Sequence, residues 1–124
     1  MLPSVVCDAG GLLVVSGLLG GEQPPNAEVL ALDWTAVTVG RFLAVRHSGR
    51  AAATEAEIGL ALAVVDEWFP VRSLVAATMP RAGVQAVDTL DSSLALVLAE
   101  HLRVPFFTAS DEVTSDIVDI HHPW

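Results

Sequence analysis

The sequence predicts an α/β fold in which a central parallel sheet of about four short strands is flanked by helices. Short apolar runs alternate with longer segments that carry apolar residues at helical spacing, an order typical of parallel sheets. Hydrophobic residues make up 52% of the chain, enough to bury a core. No internal repeat or long linker divides the 124 residues, so we expect a single domain spanning residues 1–124.

Four short segments are predicted as strands, because each is apolar or alternates between polar and apolar residues and is bounded by turn signals. The last of them alternates most regularly, which indicates an edge strand. The predicted strands cover residues 4–8, 71–75, 104–108 and 115–120.

Helices are predicted between these strands. The clearest covers residues 88–102, where leucine, valine and alanine recur at helical spacing. Two prolines make residues 22–26 a loop, and one or two helices are expected from residue 26, interrupted near residues 33–35 and ending near residues 48–49. A further helix is expected from Thr54 to a point before Pro70.

Three acids stand where a site is expected in such a sheet. Asp8 ends the first strand, Asp91 lies near the start of the helix over residues 88–102, and Asp111 follows the strand over residues 104–108. The carboxyl ends of parallel strands share one edge, where sites are commonly built. Asp8 has a second interpretation, as the N-cap of the helix that follows it.

Glu57 is a fourth candidate. Thr54 is a good N-cap residue and Glu57 stands three residues later, which is the capping-box pattern. Glu57 can therefore be a capping acid, a site residue, or both.

The order of these parts resembles the PIN-domain family: a strand ending on Asp8, helices including Glu57, then a leucine-rich helix and a Val-Pro strand. Residues 98–109, LAEHLRVPFFTA, are similar to a segment of VapC-type toxin ribonucleases. The resemblance implies a PIN-like three-layer sandwich. It also implies an endoribonuclease in which Asp8, Glu57, Asp91 and Asp111 hold Mg²⁺ or Mn²⁺, with RNA as substrate and a cognate antitoxin or other protein as partner.

The register of the resemblance leaves a second interpretation open. Counted without gaps, the third and fourth acids of the family fall on Ser92 and Ser110, one residue away from Asp91 and Asp111. One residue on a helix is a rotation of about 100°. The alternative is a catalytically inactive PIN-like domain that acts as a protein-interaction module. A third alternative is an unrelated small α/β domain.

The charge bears on the choice between these functions. Fifteen acids and six arginines, with no lysine, give a net charge of −9, which disfavours non-specific nucleic-acid binding. The single Cys7 forbids an internal disulfide. No signal peptide or membrane-spanning stretch is recognisable, so we expect a cytoplasmic protein, and its apolar content is compatible with a homodimer.

Overall fold

The computed structural model describes residues 2–23, 26–82 and 87–124, apart from the side chains of residues 81, 82, 87 and 88. In these ranges the chain forms an α/β fold with a five-stranded, all-parallel sheet flanked by five helices, which confirms the predicted fold class. In chain order the elements are β1 (Ser4–Cys7), α1 (Ala9–Val15), β2 (Glu28–Leu32), α2 (Asp33–Arg46), α3 (Ala51–Ala63), β3 (Glu67–Phe69), α4 (Arg72–Ala82), α5 (Val87–Leu102), β4 (Phe106–Phe107) and β5 (Ile120–His121).

The sheet has the strand order β3-β2-β1-β4-β5, so β1 lies at its centre. Side chains of β1 alternate between the two faces of the sheet, as the pleat requires. Val5 and Cys7 belong to a core cluster with helices α1, α2 and α3, and Val6 belongs to a second cluster with α5. The alternation gives three layers, with helices covering both faces of the sheet.

The helix predicted from residue 26 to the interruption near residues 33–35 was wrong over β2. Val29, Leu30, Ala31 and Leu32 are all buried, because β2 is covered by helices on both faces. A strand buried on both faces is a continuous apolar run without period-two alternation, and such a run cannot be told from a buried helix by its pattern. The helix of this region, α2, begins only at Asp33.

The predicted strand over residues 71–75 was also wrong. This segment begins helix α4, and the third strand along the chain is β3, just before Pro70. Val75 is 38% exposed and Leu74 is buried, an uneven burial typical of a surface helix. The backbone N–H of Val71 donates to Asp33 Oδ1 at 2.9 Å, which satisfies a donor ahead of the helix.

Helix α5 agrees with the prediction, although the side chain of Asp88 lies outside the described part of the chain. Helix α3 begins at Ala51, three residues before Thr54, so Thr54 is not its N-cap. Arg50 holds the cap position without a side-chain hydrogen bond, because the run of three alanines extends the helix backwards. Of the predicted edge strand over residues 115–120, only the last residue, Ile120, belongs to a strand, β5. Within the described ranges, no helix is long and apolar enough to cross a bilayer.

Candidate functional site

A pocket of about 210 Å³ opens at the carboxyl edge of the sheet, where β1 and β4 end. The chain leaves β1 toward β2 on one side and returns to β4 on the other, so β1 and β4 flank a topological switch point. Ligands of open α/β sheets bind in the crevice at such points. We name this the carboxylate pocket; it is lined by Asp8, Ala9, Gly10, Thr38, Thr89, Asp91, Ser92, Ala109 and Ser110.

Asp8 is a buried carboxylate of the pocket that accepts three hydrogen bonds. It is 2% exposed and caps helix α1, with Oδ1 accepting a hydrogen bond from the Gly11 N–H at 2.9 Å. Its Oδ2 accepts from the hydroxyls of Ser92 at 2.7 Å and Thr108 at 2.5 Å. A side chain on residue 11 would collide with the Phe107 carbonyl, so a glycine lets α1 start directly against β4. Asp8 is therefore both the helix cap and a pocket residue.

Burial raises the pKa of Asp8, because the ionised carboxylate has lost its water. Hydrogen bonds from Thr108, Gly11 and Ser92 stabilise the ionised form and oppose that rise. The net direction is upward, so the carboxyl is easier to protonate than an exposed aspartate.

Asp91 is the second acid of the pocket and is 1% exposed. Its Oδ2 accepts from the backbone N–H of Ala9 at 2.9 Å, and its Oδ1 accepts from the Thr35 hydroxyl at 2.8 Å. One carboxylate thereby joins the start of α5 to the β1–α1 turn, 82 residues away in sequence, and to α2. Because Ser92 bonds Asp8, adjacent positions of α5 both face the pocket, each toward a different partner.

The other two predicted site acids lie outside the lining of the carboxylate pocket. Glu57, on α3, is 2.8 Å from His47 Nε2 across the α2–α3 pair. Asp111 is exposed, and its neighbour Ser110 lines the pocket instead, with its N–H donating to the Thr108 hydroxyl at 3.0 Å. The pocket thus brings together Asp8 and Asp91, and it does not include Glu57 or Asp111.

This donor set bears on the metal ion that the resemblance implies. Across residues 2–23, 26–82 and 87–124, no group of three or more His, Cys, Asp and Glu side chains is placed to hold a metal. Mg²⁺ is held by one or two carboxylates when substrate phosphates complete its coordination. The residues present therefore do not fit a resident divalent ion by themselves.

Two threonines of α2 belong to this region and were not predicted from the sequence. Thr35 bonds Asp91, and Thr38 lines the pocket with a hydroxyl that has no hydrogen-bond partner although the residue is only 3% exposed. The signal was their spacing: threonines three residues apart lie on one side of a helix. They were overlooked because the surrounding residues are apolar and were assigned to the core.

A second compartment of about 250 Å³ adjoins the first and shares Thr89, Ser92 and Ser110 with it. We name it the outer groove. Its remaining lining residues are Ser93, Leu96, Glu112, Val113 and Thr114.

Comparisons with known proteins add no relative to this picture. No protein-family model matches the chain, and no curated protein is significantly similar to it. The resemblance to PIN domains stays a prediction from the sequence.

Proposed function

We propose that this chain is a catalytically silent, PIN-like interaction module, and that it associates with a second copy of itself through helices α2 and α3. The observation that carries the proposal is the poor burial of an apolar helix. Helix α3 has the sequence AAATEAEIGLALA, in which ten of the thirteen residues are alanine, leucine, isoleucine or glycine. Only Ala61 of this helix is fully buried. An apolar helix that the domain covers only in part favours a protein partner.

The exposed apolar side chains of α2 extend this surface. Val45 is 73% exposed, Val37 56% and Phe42 42%, and Leu60 on α3 is 59% exposed. The two helices pack against each other, with Ile58 in contact distance of the Gly40 position. We name these four side chains, on their two helices, the α2–α3 surface. Apolar surface of this kind is typical of protein interfaces rather than of nucleic-acid contacts.

The geometry of the carboxylate pocket supports catalytic silence. Both oxygens of Asp8 and both oxygens of Asp91 accept hydrogen bonds from protein donors, and Glu57 Oε1 lies 2.8 Å from His47 Nε2, away from the pocket. Among the described residues lining the pocket or the outer groove, none is basic, so nothing there neutralises an RNA phosphate. This arrangement suits a folded scaffold better than a phosphodiesterase.

The self-association is tested by light scattering and sedimentation of the purified chain over a hundredfold range of concentration. We expect a dimer whose dissociation is detectable on dilution. Leu60→Glu and Val45→Glu should give monomers, since each places a charge in the apolar interface. Ile117→Glu is the matched control: Ile117 is 51% exposed but lies outside α2 and α3, so this variant should remain dimeric.

A wild-type chain that is monomeric at every concentration would refute the self-association. Dimers that persist in both α2–α3 variants would refute the surface assigned here. Circular dichroism of each variant separates loss of association from loss of the fold.

A metal-dependent endoribonuclease is the second candidate, and the convergence of Asp8 and Asp91 at the switch point favours it. In this case Mg²⁺ or Mn²⁺ would be bound together with an RNA phosphate. Calorimetry with Mn²⁺ and a short RNA tests it: joint binding that is lost in Asp91→Asn and kept in Asp111→Asn would favour the nuclease over the silent module.

A further inference from the structure

We infer that the carboxylate pocket and the outer groove together bind a small organic ligand with aliphatic ammonium groups, of the polyamine class. This inference goes beyond the proposed function and does not depend on the α2–α3 surface. It rests on an unpartnered buried hydroxyl, on the charge of the lining, and on the shape of the two compartments.

The unpartnered hydroxyl belongs to Thr38. It lines the pocket, is 3% exposed and has no hydrogen-bond partner. A buried hydroxyl without a partner costs stability, so such groups normally have a ligand or an ordered water. A hydroxyl offers two acceptor lone pairs and one donor, which suits an ammonium group with its three N–H donors.

The charge of the lining selects a cation. The pocket contains the carboxylates of Asp8 and Asp91, and the outer groove contains Glu112, while none of their described lining residues is Arg, Lys or His. The remaining polar lining consists of hydroxyls, which accept hydrogen bonds from an ammonium but are weak ligands for Mg²⁺. An ammonium beside Asp8 also favours its ionised form and so opposes the effect of burial on its pKa.

The shape favours a ligand larger than a single ion. The two compartments have volumes of about 210 and 250 Å³ and share three lining residues, so they lie side by side. Asp8 and Asp91 line the first compartment, and Glu112 lines the second. A diammonium ligand matches this layout, with one ammonium at Asp8 and Asp91, the second toward Glu112, and the methylene chain across Leu96.

The experiment is calorimetric titration of the full chain with putrescine, n-butylamine and 1,4-butanediol. Putrescine carries two ammonium groups, n-butylamine one, and butanediol none, at similar length. We expect saturable binding of putrescine, binding of n-butylamine about tenfold weaker, and no binding of butanediol.

Three variants locate the site without removing the carboxylates that hold the fold. Thr38→Val should weaken putrescine binding about tenfold, since it deletes a hydrogen bond to a charged group, while the ligand-free protein keeps its melting temperature or gains a little. Glu112→Gln should weaken putrescine binding about tenfold and leave n-butylamine binding unchanged. Asp111→Asn is the control, because Asp111 is exposed and outside the lining, and it should bind like wild type.

Several results would overturn the inference. One is the absence of saturable binding by the wild type at millimolar putrescine. If butanediol bound as tightly as putrescine, the ammonium groups would not be recognised. If Asp111→Asn lost as much binding as Glu112→Gln, putrescine would respond only to the net charge of the protein. Displacement of putrescine by an equal concentration of Mg²⁺ would assign the pocket to a metal ion instead. A lysine-containing dipeptide that binds more tightly than putrescine would assign it to a protein side chain.

Discussion

Asp8 and Glu57 are both acids of one small domain, but they lie in contrasting regions. In the carboxylate pocket, Asp8 is buried and accepts three hydrogen bonds from α1, α5 and the end of β4. On α3, Glu57 has a side chain that is 25% exposed and contacts a single histidine. The contrast teaches that the place of an acid in the fold decides its environment, because Asp8 lies where α1, α5 and the end of β4 meet, whereas Glu57 lies on the α2–α3 pair.

The same contrast extends to packing. Helix α5 buries Leu94, Ala95, Leu98 and Ala99 against the sheet, whereas α3 fully buries only Ala61. We therefore expect stability to reside in the region of the pocket and association to reside on the α2–α3 surface.

The largest expected effect is on the free energy of unfolding, and the same substitution of leucine by alanine is compared in the two regions. Leu94→Ala in α5 should lower the free energy of unfolding by about 2–5 kcal/mol, because Leu94 is 1% exposed and its removal leaves a cavity. Leu60→Ala in α3 should change it by less than about 0.5 kcal/mol when measured on the monomer. Urea unfolding at a protein concentration below dimer dissociation measures both, and equal losses would contradict the comparison.

A smaller effect is expected from the hydrogen bonds of the pocket. Thr108→Val should cost about 1–3 kcal/mol, since it removes a hydroxyl that bonds the buried Asp8 carboxylate and also accepts from the Ser110 N–H. Thr114→Val is the control, because Thr114 is exposed. If both variants unfold at the same urea concentration as wild type, the bonds at Asp8 contribute nothing to stability.

The pH dependence of stability tests the burial of Asp8. Its pKa is raised in the folded protein, so above about pH 4 the unfolded chain has released a proton that the folded chain still holds. This difference in proton binding at Asp8 does not affect stability at lower pH. It lowers the free energy of unfolding increasingly as pH rises toward the folded pKa of Asp8. The asparagine of Asp8→Asn does not titrate, so the free energy of unfolding of wild type relative to this variant should decline from about pH 4 upward. A relative stability that is flat or rising with pH would contradict the assigned direction.

The smallest effect is expected at Glu57. A double-mutant cycle of Glu57→Gln and His47→Gln should give a coupling of about 0–1 kcal/mol, because the two side chains are 20% and 25% exposed. A coupling above about 3 kcal/mol would indicate that the pair is shielded from water, and the contrast with Asp8 would disappear.

The fold class was predictable because strands and helices alternate, and α5 was predictable because its apolar residues keep helical spacing. β2 was not, since burial on both faces erased the alternation that marks a strand, and residues 71–75 contain strand-forming valines in a helix. Local pattern cannot decide such cases when tertiary packing determines the structure.

The candidate site was predictable to a similar extent. Asp8 and Asp91 were found because they stand at the end of a strand and the start of a long helix. Glu57 was assigned by resemblance rather than by position, and the structure puts it beside His47. Thr35 and Thr38 were missed, since their spacing places them on one side of a helix but does not show that this side faces a pocket until strand order is known.

The most direct test of the account is cleavage of a mixed-sequence RNA by the purified chain in millimolar Mg²⁺ or Mn²⁺, with Asp8→Asn and Glu57→Gln run beside it. A silent module predicts no cleavage above that of either variant. Metal-dependent cleavage by the wild type that is abolished in both variants would contradict the account, because it would require Asp8 and Glu57 to act in one catalytic site.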